Sequence, residues 1–147
     1  MCSLGSVRSI PRTRVTIEAA TQPKPDRIRV VVADDEPLFV QMVLALLQSE
    51  DRIEVVGTAR NGKEAVELTT SLTPDVTLMD ISMPMLDGIE ATRRIRERRP
   101  TACILVLTGS NIPSEVDRAR QAGAAAYLTK DRVGSNLVET IVDVASR

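Results

Sequence analysis

From Ile28 onwards, short apolar runs alternate with longer stretches in which apolar positions recur every three or four residues. Runs of four to eight apolar residues between turn-forming ones read as buried strands, and the 3.6-residue recurrence reads as helix. Strands are predicted over 28–33, 53–58, 76–80, 103–108 and 125–128, and helices over 36–50, 61–72, 87–99, 114–123 and 134–146. Pro37 falls in the first turn of its helix, where the missing N–H is harmless. Asn61-Gly62-Lys63-Glu64 has the form of a capping box, and so has the run from Ser114 to Asp117. Asp87 stands at an N-cap position and Pro100 stops the helix before it. The 103–108 run is apolar throughout, as in a strand covered on both faces.

Strands alternating with helices predict an α/β fold: a doubly wound five-stranded parallel sheet in the order 2-1-3-4-5, with helices on both faces. Ligands in such folds sit beyond the carboxyl ends of the strands, where the strand order reverses. The first strand ends in Asp34-Asp35, the third in Asp80, the fourth in Thr108, and the fifth runs into Lys130. All five groups are therefore expected on one edge of one sheet. Three crowded carboxylates need a counter-charge. A hard divalent cation supplies it, and Mg²⁺ is favoured because it keeps waters and suits phosphate chemistry. With Lys130 and the Thr108 hydroxyl, the group forms a clamp for a phosphoryl group arriving on Asp80. A carboxylate is an established nucleophile for such a transfer.

Composition narrows the chemistry further. The chain has 147 residues, 43% of them hydrophobic, which suits one domain with one core. Phe39 and Tyr127 are the only aromatic residues, so that core is built from aliphatic side chains. There is no histidine, which removes His-based triads and the usual zinc ligands. The net charge of −1 gives no field favouring nucleic acid or a membrane surface. Cys2 and Cys103 do not form a disulfide framework, Cys103 reads as inert core, and a reducing cytoplasm fits. No apolar run reaches the ~20 residues of a membrane span. Residues 1–27 carry three prolines and five basic residues without an apolar period, and are expected to be a flexible N-terminal extension before a domain at 28–147. A basic arm touching an acidic partner is the other reading of that stretch.

Four segments in order now carry a resemblance: Val-Val-Ala-Asp34-Asp35; Met79-Asp80-Ile-Ser-Met83-Pro84-Met-Leu-Asp87-Gly88; Leu107-Thr108-Gly109; and Gly123-Ala-Ala-Ala-Tyr127-Leu-Thr-Lys130. Over about residues 28–147 the chain resembles the receiver domain of two-component response regulators. The run Glu36-Pro37-Leu38-Phe39, and Asp131 where many receivers have proline, point to the NarL/FixJ-like branch. The resemblance implies that Asp80 is the phosphoacceptor and that Asp34 and Asp35 organise Mg²⁺, with the Ser82 carbonyl as a further ligand. Thr108 and Lys130 would hold phosphoryl oxygens, Tyr127 would swing inward when Thr108 is drawn to the phosphoryl group, and Gly109 would leave it accessible. The implied donor is a sensor histidine kinase or phosphotransfer protein, and the implied output is a two-state change in the last two strand–helix units.

The last predicted helix completes that fold. The expectation is a stand-alone receiver or the regulatory part of a transcriptional regulator, with no direct nucleic-acid contact through this stretch. Two rivals are an aspartyl-phosphate phosphatase, which usually has a second acid where Ser82 stands, and a degenerate receiver used as a protein-binding module. Most of Arg93, Arg94, Arg96, Arg98 and Arg99 read as solvated, since spacing turns Ile89, Thr92 and Ile95 inward. The first helix is apolar on more than one side, and the last has two apolar sides. Val40 and Leu44 are expected to form an exposed stripe, a dimer or kinase-docking face shared with the last helix.

Overall fold

A computed structural model describes residues 27–109 and 112–147. The predicted extension lies outside the described residues except for Arg27. Strands β1 (Ile28–Ala33), β2 (Ile53–Ala59), β3 (Val76–Asp80), β4 (Ile104–Thr108) and β5 (Ala126–Thr129) form one sheet in the order β2-β1-β3-β4-β5. Every neighbouring pair is parallel. The helices are α1 (Pro37–Gln48), α2 (Gly62–Leu72), α3 (Gly88–Arg98), α4 (Pro113–Gln121) and α5 (Val133–Ala145), with a 3₁₀ turn at Lys130–Arg132.

The two faces of the sheet read directly from strand alternation. Met79, Ile104 and Val106 point to the side covered by α2, α3 and α4, where Ala65, Ile89, Ile95 and Ala119 meet them. Val30, Val32, Leu78, Leu105 and Leu107 point to the side covered by α1 and α5, against Val43, Leu47, Leu137 and Ile141. β3 and β4 are buried along their whole length, which is why their sequences show no polar alternation.

Helix ends follow local chemistry with one departure. Asn61 accepts from the Glu64 N–H at 2.8 Å while Glu64 accepts from the Arg60 N–H at 2.9 Å, so the reciprocal cap predicted here forms, displaced by one residue on its return bond. α2 ends on Thr73 in the left-handed region (φ 45°), and the Arg29 guanidinium donates to the carbonyls of Leu72 and Thr73 that this end leaves open. α4, however, is not capped by Ser114. It starts at Pro113 after Ile112, without a side-chain cap, because a proline fixes a helical φ and has no N–H to satisfy.

The arginines of α3 and its C-cap divide. Arg93, Arg94 and Arg98 are exposed, while Arg96 and Arg99 are half-buried. Arg96 donates to the Pro100 and Ala102 carbonyls and lies against Gly123 (φ +106°), so it ties the end of α3 to the approach to β4. Cys103 is half-buried, with its thiol 3.7 Å from the Val144 carbonyl. No described helix is long and apolar enough to cross a membrane.

Candidate functional site: an acidic hollow at the sheet edge

The site assembles because four parallel strands end on the same edge. β1 delivers Asp34, almost fully buried, and then Asp35, which is exposed. β3 delivers Asp80 from the adjoining position in the sheet, 4% exposed. Carboxylate oxygens of Asp34, Asp35 and Asp80 lie within 4.8 Å of one another. β5 leads into the 3₁₀ turn that opens with Lys130. Its Nζ stands 2.8 Å from Asp34 Oδ2, 2.9 Å from Glu36 Oε1 and 3.3 Å from Asp80 Oδ1. Asp35, Glu36, Asp80, Ser82, Gly109 and Lys130 line one open hollow of about 370 Å³.

The loop after Asp80 holds its shape through backbone bonds and one glycine. Ile81 donates to the Leu107 carbonyl at 3.2 Å and Gly88 donates back to the Ile81 carbonyl at 2.8 Å. A Cβ on Gly88 would stand 1.9 Å from the Asp80 carbonyl oxygen, so only glycine allows this return. Asp87 then caps α3, accepting from the Glu90 N–H at 2.8 Å. The same loop brings Leu86 over Gly62, where a Cβ would again lie 1.9 Å from a carbonyl oxygen.

Electrostatics shift the ionisation of two groups in the site. Burial raises the Asp80 carboxyl, the Asp34 charge raises it further, and Lys130 opposes both only in part, so its pKa is pushed up to about 6. Burial works against the Lys130 charge, but hydrogen bonds to Asp34 and Glu36, with the charges of Asp80 and Asp34, outweigh it and raise its pKa above the usual lysine range. The ammonium is therefore fixed at neutral pH. Asp34 Oδ1 accepts from the Glu36 N–H at 2.9 Å, and its buried Oδ2 faces the Lys130 ammonium at 2.8 Å. Such a donor set, all hard oxygens, fits a small divalent cation.

The remaining predicted residues are placed as follows. Thr108 is 4% exposed at the end of β4, and its hydroxyl shares a hydrogen bond with Tyr127. Tyr127 is half-buried on β5, and burial is the main cause of its raised pKa. Ser82 is exposed in the hollow, as is Gly109. Val40 and Leu44 do not make an exposed stripe: both are half-buried, Leu44 packs onto the core under α1, and Val40 lines a separate hollow with Asp34, Asp35, Gln41 and Arg60. The large apolar residues that α1 exposes are Leu38 (81%) and Met42 (46%). A helix apolar nearly all round does not announce its phase, and the packing of Val43 and Leu47 sets it.

Two neighbours of Lys130 were not read from the sequence. In the sequence Glu36 opens a predicted helix and Phe39 stands among that helix's apolar residues. Its ring centroid lies 4.3 Å from the Lys130 ammonium. Residues 94 positions apart carry no local signal of contact.

Comparison with known proteins agrees with this geometry. A family model described as the response regulator receiver domain matches residues 30–142. The transcriptional regulatory protein PdtaR of Mycobacterium tuberculosis is 44% identical over 119 residues, which cover 81% of this chain and 57% of that protein. LnrK of Bacillus subtilis, also a transcriptional regulatory protein, is 35% identical over 119 residues, covering 81% of this chain and 54% of that one. The chain thus spans a little over half the length of these relatives. Among solved structures, the signal receiver domain of NarL from Mycobacterium tuberculosis superposes with a TM-score of 0.80 at 36% identity, covering 83% of this chain and 98% of that one. A LuxR-family two-component response regulator from Aurantimonas gives 0.78 at 32% identity, with 82% and 86% covered. Motifs, strand order, clustered carboxylates and these matches agree: the chain belongs to the response regulator receiver family, in its NarL-like branch.

Proposed function

We propose that this domain is a phosphorylation-dependent signalling switch in which Asp80 accepts a phosphoryl group from a sensor histidine kinase or phosphotransfer protein. The observation that carries the reading is the convergence of Asp34, Asp35 and Asp80 oxygens within 4.8 Å, with the Lys130 ammonium 3.3 Å from Asp80. An Asp80 oxygen forms a bond to phosphorus as the donor's P–N bond breaks, and the leaving imidazole keeps the electron pair and takes a proton from solvent. A pKa near 6 leaves Asp80 ionised, and so nucleophilic, at neutral pH. Lys130 and Thr108 then hold phosphoryl oxygens by charge and hydrogen bond. Asp34, Asp35, Asp80 and the Ser82 carbonyl would hold Mg²⁺, which supplies charge neutralisation for the transferring group.

The output follows from the Thr108–Tyr127 hydrogen bond. Drawing the Thr108 hydroxyl toward a phosphoryl oxygen releases Tyr127, which biases β5 and the helices beside it between two arrangements. The domain acts from the cytoplasm as a stand-alone receiver or as the regulatory part of a transcriptional regulator, and its own catalysis is limited to gaining and hydrolysing the acyl phosphate. Incubation with Mg²⁺ and acetyl phosphate, followed by intact mass, tests this. The expected result is one added phosphoryl group, absent in Asp80→Asn. Multiple turnover of donor without labelling indicates a phosphatase, and no reaction indicates a docking module. Either result defeats the proposal.

A further inference from the structure

The first turn of α1 does something its position does not explain. Glu36 occupies the N-cap of that helix, yet its side chain makes no cap hydrogen bond. An N-cap carboxylate can satisfy open helix N–H groups and meets a favourable dipole there. This one turns away and reaches Lys130 Nζ at 2.9 Å, across 94 residues of sequence. One turn further on, the Phe39 ring covers the same ammonium at 4.3 Å. Lys130 is therefore held by two sets of groups, by the buried Asp34 and Asp80 carboxylates and by Glu36 and Phe39 from the first turn of α1. Glu36 is 64% exposed, so its contact is the one that can be given up at least cost.

We propose that Glu36 is a positioning residue that seats Lys130 in the resting state and competes with the phosphoryl group for it. This rests on Asp80 being the phosphoacceptor. A phosphoryl group adds oxygens and negative charge beside Asp80. Lys130 keeps its place near Asp80 and exchanges the Glu36 oxygen for a phosphoryl oxygen. The exchange sets a threshold: the seat opposes occupancy of the site by any phosphoryl-like anion, and its removal lowers that opposition. An exposed pair of this kind is worth a factor of roughly two to five in an equilibrium constant.

The test is titration of the whole chain with beryllofluoride in saturating Mg²⁺, followed by calorimetry or NMR, for the parent, Glu36→Gln and Glu36→Asp. Glu36→Asp keeps the charge, but a shorter acid at an N-cap turns to the helix N–H groups and falls short of Lys130. The expected result is tighter binding by roughly two- to fivefold in both variants. Tightening in Glu36→Gln alone assigns the effect to net charge at the rim and overturns the seat. Equal affinity in all three, or weaker binding in either variant, overturns it too, while leaving Asp80 as acceptor. A parent that binds no beryllofluoride defeats the acceptor reading itself.

Discussion

Replacing Asp80 by asparagine in metal-free buffer should stabilise the fold at neutral pH. In the folded chain Asp80 keeps its proton up to about pH 6, because burial and the Asp34 charge oppose ionisation more than Lys130 favours it. Unfolded, the same carboxyl releases its proton near the ordinary value of 3.8. Between those values the folded chain binds more protons, so stability falls as pH rises through the window. Below about pH 4 both states are protonated and the penalty is absent; above about pH 6 it is complete. A difference of about two units corresponds to a ceiling of about 3 kcal/mol. Part of this is lost because the asparagine amide N–H groups beside the Lys130 ammonium are poorer neighbours than the protonated acid they replace, which leaves roughly 1–2 kcal/mol.

The assay is urea unfolding followed by far-UV circular dichroism, in EDTA, at pH 4 and pH 8. Asp80→Asn should exceed the parent in stability at pH 8, and the gap should close toward pH 4. A gap of equal size at both pH values would assign the effect to packing. An Asp80→Asn protein less stable than the parent at pH 8 would show that Lys130 is worth more to the fold than the burial of charge costs it. Either result refutes the electrostatic account.

Mg²⁺ at about ten times its dissociation constant should raise the stability of the parent by about 1.4 kcal/mol and that of Asp35→Asn by clearly less, measured by the same unfolding curves, and chelation should leave far-UV dichroism unchanged while abolishing labelling of Asp80. Gly88→Ala should cost about 2 kcal/mol or more and slow phosphorylation, because its Cβ cannot share space with the Asp80 carbonyl 1.9 Å away; thermal unfolding and intact mass report the two effects. Asn61→Ala should cost about 1 kcal/mol by loss of the bond from the Glu64 N–H, and leave the labelling rate unchanged.

Strand positions were legible in the sequence because burial on both faces removes polar alternation, as in β3 and β4. The strand order was legible because short crossovers and right-handed connections leave few arrangements. Together they placed Asp34, Asp35, Asp80 and Lys130 on one edge before any distance was known. What was illegible depended on side-chain direction. The capping pattern at Ser114 lost to Pro113 one residue earlier, since backbone constraint outranks a side-chain cap. Val40 and Leu44 looked exposed because α1 is apolar on several sides, and only contact with α5 and the sheet decides which side turns out. The contacts of Glu36 and Phe39 leave no mark in the sequence because Lys130 lies in a different part of the chain.

The charge count around Lys130 explains why this edge is a poor place for a fold and a good one for a switch. Asp34, Asp35, Glu36 and Asp80 bring four carboxylates to one ammonium, which leaves an excess of three negative charges when all are ionised. Lys130 is shared among three of them and cannot neutralise any one alone. A phosphoryl group would worsen the excess, so an anion is accepted here only alongside added positive charge. The clustered oxygens of Asp34, Asp35 and Asp80, on an open hollow, are hard donors of the kind such a charge would need. The charged groups sit at the ends of β1, β3 and β5, while the aliphatic core beneath is closed on both faces.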